Sequence, residues 1–462
     1  MSTQEADALE RMELAAKAAD EARRGVSPHA ATERFIPVAP HDLISRLALP
    51  EVWPGVDPAS VRAFFKVLIH WRHLNYSDRQ RDLLRLYAPF SPDSDTKVAE
   101  TASLGERAEQ QQVFVGLVRQ LLARANYDEI PRDRIEAVIS EQNPYGLALE
   151  VDLSEFEELH IFYRGESETT APPSKLERFA LRKKPVKLSI YQRLFVKLKL
   201  KPVEVRVREI MLKEQVDAKK AEKIIAKLRK TLPASITGDY IYLKLFKFIP
   251  RADLEMLFPN TRVKMRQIDK LKLGVTAGGG SAAGIATTIA KLSTVAALTN
   301  PLTVGMAMIG LGGIVFRQIS SVFATRTTYM AQLSKNLYFN NLANNHSVMA
   351  VLSERGEEED IKEEVLLYTL LARSTMKRSE LADAKLAVEH YLQSEFQVKV
   401  NFDIYDALER LVDTGVVIEQ PDGTLVALQP ADGARHIDEM WDKYLDKVAA
   451  RDDMILHAIG GS

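Results

Sequence analysis

Cysteine is absent from all 462 residues, which excludes disulfides, thiolate metal sites and cysteine nucleophiles and fits a cytoplasmic domain. No acidic residue occurs between Asp269 and Glu354. A soluble helical region of that length ordinarily keeps both charge signs on a solvated face, whereas hydrocarbon penalises any charge at depth. Gly-x-Ser-x-Gly, Gly-Lys-Ser/Thr and His-Glu-x-x-His are all missing, so no hydrolase elbow, P-loop or zinc protease can be argued. The start, Met1 to Asp7, leads into charged helical sequence up to Arg24 rather than an apolar stretch, and no secretory signal peptide is expected.

What is present is opposed blocks of charge. The net charge of −1 combines 62 Lys plus Arg with 63 Asp plus Glu. Residues 174–231 hold 19 basic and 6 acidic residues, and residues 354–430 hold 8 basic and 17 acidic. The block positions carry more information than the sum.

Helical spacing is read over Val61 to Tyr87 and Glu106 to Ala125, with prolines punctuating residues 28 to 54. Alternating β-branched and aromatic residues predict strands at 159–165, 186–191, 193–201 and 240–246, with a basic helical segment between the last two. Residues 327–352 read as a helix with an Asn-rich bend. Residues 361–428 read as three helices and a hairpin around Pro421-Asp422-Gly423, the order of a winged helix.

The run from Leu273 to Phe316 carries one charge, Lys291, and is broken at Thr299-Asn300-Pro301. Proline cannot continue a hydrogen-bonded helix, so two arms are expected. The first would span about 39 Å, more than the ~30 Å of bilayer hydrocarbon, and the second only about 22 Å. Basic residues at both ends (Lys264, Arg266, Lys270, Lys272; Arg317, Arg326) place both ends in the cytoplasm. Gly274 and Gly278, then Gly280 and Gly284, repeat a small-xxx-small spacing, read as packing between the arms, with self-association into a homo-oligomer as the alternative. Lys291 is read as snorkelling to the far interface, with a polar path as the sharper alternative. The basic block before the run is expected to meet anionic lipid headgroups.

The glycines at 278–284 lack the acid that a dinucleotide site needs about 20 residues on. His70 and His73 share a helical spacing but supply too few ligands for a metal. No cofactor and no metal site is expected. The third helix of the winged-helix order, Phe402 to Thr414, carries Asp403, Asp406, Glu409 and Asp413 against Arg410 alone. Such a helix would repel phosphates, so a protein partner is expected there and nucleic acid is not.

Several stretches occur together: Ala88-Pro89-Phe90-Ser91-Pro92-Asp93, Ala125-Asn126-Tyr127, Phe156-Glu157-Glu158-Leu159 leading to Tyr163-Arg164-Gly165, Tyr242 to Phe246, Ile249 to Pro259, and Phe339 to Asn345. In these the sequence resembles an uncharacterised membrane-protein family, a domain of unknown function that includes the mitochondrial transmembrane-protein-143-like proteins. The resemblance implies a membrane protein with cytoplasmic or matrix-side domains and no established activity. Its most specific segment, 242–259, offers Asp253, Glu255 and Pro259 as motif candidates, read as structural, with a catalytic Asp253 as the alternative.

The expected fold is α+β. It comprises a solvated helix or tail (1–30), a helical domain (31–150), a basic domain with a small antiparallel sheet (151–270), a transmembrane or re-entrant hairpin (271–325), a connecting helix (326–353), an acidic winged-helix-like domain (354–430) and a C-terminal helix and tail (431–462). The expected function is a membrane-anchored scaffold or protein-interaction module at the bacterial inner membrane, both termini cytoplasmic. The alternatives are a membrane-bound, hydrolase-like enzyme and a small oligomeric pore.

Overall fold

The computed structural model describes residues 32–93, 103–140, 148–171, 186–230, 232, 236–264 and 338–444. Helices α1 (Pro40–Leu47), α2 (Pro58–Tyr87) and α3 (Leu104–Arg124) precede the sheet. Asp57 starts α2 by accepting from the Ala59 and Ser60 amides at 3.1 and 3.2 Å, with Pro58 at the first position. Ser103 and Glu106 close a reciprocal capping box on α3.

The five-stranded antiparallel sheet contains β1 (Asp128–Glu129), β3 (Phe156–Ala171), β4 (Val186–Leu200), β5 (Tyr242–Pro250) and β7 (Asn341–Asn344), in the order β1-β3-β4-β5-β7. Helix α4 (Arg132–Ser140) follows β1, and a separate pair joins β2 (Ala148–Glu150) to β6 (Arg262–Lys264). The strands expected at 186–191 and 193–201 are one continuous strand, β4. Strand alternation gives the sheet two apolar faces. Phe162, Phe195, Leu243 and Leu245 pack toward α2, α3 and the long helix α7 (His346–Arg373). Ile161, Leu194, Val196 and Phe246 pack on the other side with α4 and a 3₁₀ turn, Arg251–Leu257. Between β4 and β5 the short helices α5 (Val203–Glu214) and α6 (Ala218–Arg229) form a hairpin, anchored where Arg206 and Arg229 both reach Glu155 at 2.8 and 3.1 Å.

Helices α2 and α7 run antiparallel, with Phe64 stacked on Tyr368 at 4.0 Å between ring centres. Beyond α7 come β8 (Met376–Lys377), α8 (Leu381–Phe396), α9 (Ile404–Asp413), β9 (Val417–Glu419), β10 (Thr424–Ala427) and α10 (Pro430–Asp442). The strands pair in the order β8-β10-β9, and the whole has winged-helix order. Its core is continuous with α1 and the first half of α2.

The α+β mixture with an antiparallel sheet stands, but the expected fold is corrected on its central element. Among the described residues no helix is long and apolar enough to cross a membrane, so the fold class of those residues is corrected to an α+β mixture without a transmembrane or re-entrant hairpin. Gly274, Gly278, Gly280, Gly284, Lys291 and Pro301 lie outside the described residues. A second correction concerns the helix read over 327–352: Asn341–Asn344 pairs with β5 as an edge strand, and Asn345 (φ +46°) breaks the chain before α7 begins.

Candidate functional site

The middle of α7 reads Glu357-Glu358-Glu359-Asp360-Ile361-Lys362-Glu363-Glu364. An isolated helix would turn such residues to water, yet Glu359, Asp360, Glu363 and Glu364 are at most 4% exposed. Buried charge is tolerated only when it is paired and hydrogen-bonded. The partners come from five separate stretches of chain. Arg72 on α2 donates from Nε to Glu364 at 2.8 Å and from Nη2 to the Arg410 carbonyl at 3.1 Å. Arg410 on α9 reaches Glu364, Glu363 and Asp360. Tyr76 donates to Asp360 Oδ2 at 2.7 Å, which Arg124 at the end of α3 also meets at 3.1 Å. Asn126 donates to Glu363 at 3.2 Å.

On the sheet side, Arg164 of β3 donates to Glu359 Oε1 at 3.0 Å, and its guanidinium lies 4.3 Å from the Phe35 ring centre. Lys362 donates to the Ile36 carbonyl at 2.6 Å, and the Ile36 amide donates to Glu359 Oε2 at 3.0 Å. The same N-terminal segment bonds the winged-helix part through Glu33 and residues 399–401. Four carboxylates therefore face Arg72, Arg164, Lys362 and Arg410 inside the protein, with Arg124 at the edge.

Electrostatics follow from this packing. Burial pushes the Glu363 carboxyl up to about 8, opposed by Arg410. Burial disfavours the Arg410 charge, but Asp360, Glu363 and Glu364 overcome it and hold the guanidinium above its ordinary range. Burial pulls the Lys362 ammonium down against Glu359. Glu33 is pushed up to about 7 by burial, against Arg164 and Gln192.

Toward the N-terminal end of this stretch, α2 and α7 leave a cavity of about 340 Å³. It is lined by His73, Tyr76, Ser77 and Gln80 from α2 and by Ala350, Ser353, Glu354, Glu357 and Glu358 from α7. His73 Nδ1 lies 3.1 Å from Glu357. Among the described residues, no group of three His, Asp or Glu is arranged to hold a metal.

The motif candidates sit elsewhere. Asp253 and Glu255 belong to the 3₁₀ turn after β5, followed by Pro259, on the face of the sheet opposite α7. Leu254 and Phe258 from this stretch are buried, Phe258 against Phe156 at 5.8 Å. Asp253 is half-buried and Pro259 likewise. In the sequence the charged seam shows only as part of the acidic block at 354–430. The signal available was four acids at i, i+1, i+4 and i+5 interleaved with Ile361, Val365, Leu366 and Leu367.

No solved structure matches this chain. The stretch carrying most of the sheet, residues 156–347, matches the family described as a protein of unknown function (DUF3754), and nothing in that match links the chain to the transmembrane-protein-143-like proteins or to membrane proteins.

Proposed function

We propose that this protein is a protein-interaction scaffold whose C-terminal winged-helix-like part presents an acidic, aromatic-bearing face to a basic protein partner. The observation that carries this reading is the orientation of α9. Its single cation, Arg410, is turned inward to three carboxylates, while Tyr405, Asp406, Glu409 and Asp413 face solvent. A helix in the recognition position with only acids outward has no means of neutralising phosphate. Tyr405 adds a large amphipathic side chain of the kind enriched at interfaces.

In the same reading the scaffold works at the cytoplasmic face of a membrane, where the exposed Lys219, Lys220, Lys223 and Lys227 of α6 would meet anionic headgroups. The resemblance to transmembrane-protein-143-like proteins, carried by Tyr242 to Phe246, Ile249 to Pro259 and Phe339 to Asn345, supports that placement. The test is a titration of fluorescent duplex DNA and of a lysine-rich peptide into the full chain at low salt. Peptide binding that Asp406→Lys/Glu409→Lys abolishes, with no DNA binding, is expected. Saturable DNA binding that weakens steeply with salt would overturn the proposal.

A further inference from the structure

The cavity between α2 and α7 has features that the buried seam does not use. Ser353 lines it, is 3% exposed, and its Oγ has no hydrogen-bond partner among the described residues. A buried hydroxyl left unpaired loses its water bonds without replacement. Around it stand three carboxylates of consecutive helical turns, Glu354, Glu357 and Glu358. Glu358 is held by Arg355 at 2.6 Å and Glu357 by His73, while Glu354 is exposed. Burial pushes the Glu357 carboxyl up, and Glu354 and Glu358 push the same way against His73.

The shape is set by a glycine. Tyr76 stands so close to Gly356 that a Cβ there would lie 3.1 Å from its ring and from its hydroxyl. The ring and Ala350 give the cavity apolar wall, while the carboxylates give it negative charge at the mouth. The acids do not converge as metal ligands do, and divalent cations demand converging oxygens at about 2.0 to 2.6 Å. An ammonium group on an aliphatic stem needs only acceptors around one end and apolar contact along the other.

We propose that this cavity binds a small aliphatic amine, its ammonium held by Glu357 and its stem lying against Tyr76 and Ala350, with the Ser353 hydroxyl accepting a hydrogen bond from the amine and Glu354 left for a second charge. A diamine suits the site better than a monoamine, because carboxylates one turn apart offer a second position for charge.

The test uses the full chain and two probes, butane-1,4-diamine and n-butylamine, titrated by calorimetry, with magnesium chloride as the ionic control. One-to-one binding is expected, tighter for the diamine, with affinity falling at least tenfold in Glu357→Gln and severalfold in Ser353→Ala. Glu354→Gln, at an exposed position, keeps the test valid should Glu357→Gln prove unstable, and is also expected to weaken the diamine. No saturable heat, equal binding by the variants, or equal competition by magnesium would overturn the proposal.

Discussion

Helices α7 and α9 are both acidic in sequence, yet their acids meet opposite fates. In α7 the carboxylates of residues 359, 360, 363 and 364 are sealed inside, each against a cation from another part of the chain. In α9, Asp406, Glu409 and Asp413 stay in water and the lone cation is buried. Local composition therefore says little about where charge resides. Arg410 joins the two cases, since the residue that leaves α9 without outward positive charge is the one that neutralises α7.

The comparison breaks most sharply at that residue. Arg410→Ala leaves Asp360, Glu363 and Glu364 short of a cation and is expected to cost about 3–5 kcal/mol, read by urea denaturation with the m-value checked for a change of state. Glu359→Ala strands Arg164 and Lys362 and releases the Ile36 amide, with an expected loss of similar kind, on the order of 3 kcal/mol. A loss under about 0.5 kcal/mol in either would mean that water reaches the seam.

A pH scan sharpens the same contrast. Glu363 and Glu33 have folded-state values raised to about 8 and about 7, above the 4.5 of an unperturbed glutamate. Between those limits the native state holds protons that the unfolded chain releases, so their contribution to stability is complete below about 4.5 and is lost as pH rises through 7 and 8. Glu363→Gln is expected to flatten this fall in melting temperature; an unchanged slope would assign it to other groups.

At the small end, Glu409→Ala on the outer face of α9 is expected to shift stability by no more than about 0.5 kcal/mol. Asp253→Asn in the turn after β5 is expected to lower stability slightly, read by urea denaturation; loss of a measured turnover with the fold intact would favour the enzyme alternative.

The sheet was the most legible part of the chain. Its strands announce themselves by β-branched and aromatic residues whose alternation survives folding because strand geometry is local. Even there, Lys197 is 2% exposed and paired with Glu158, although its alternation with Val196 and Leu198 would read as a solvated lysine. The Asn-rich segment was misread as a bend because Asn favours turns, whereas pairing with β5 made it an edge strand. The apolar run at 273–316 gave the strongest local signal and lies outside the described residues, among which no helix is long and apolar enough to cross a membrane. The cation partners of α7 could not be found by spacing: Arg72 and Glu364 are 292 residues apart.

By itself the sequence determined the mixed α+β character, the alternation along the strands, the helix caps, the element order after α7 and the acidic composition of α9, all of which rest on interactions within a few residues. The tertiary structure alone decided that the α7 acids are buried, which arginines neutralise them, that the N-terminal segment at 33–36 locks onto α7, and that α2 and α7 leave an acidic cavity between them. Those outcomes depend on desolvation and on contacts between residues hundreds of positions apart, and neither composition nor periodicity carries that information.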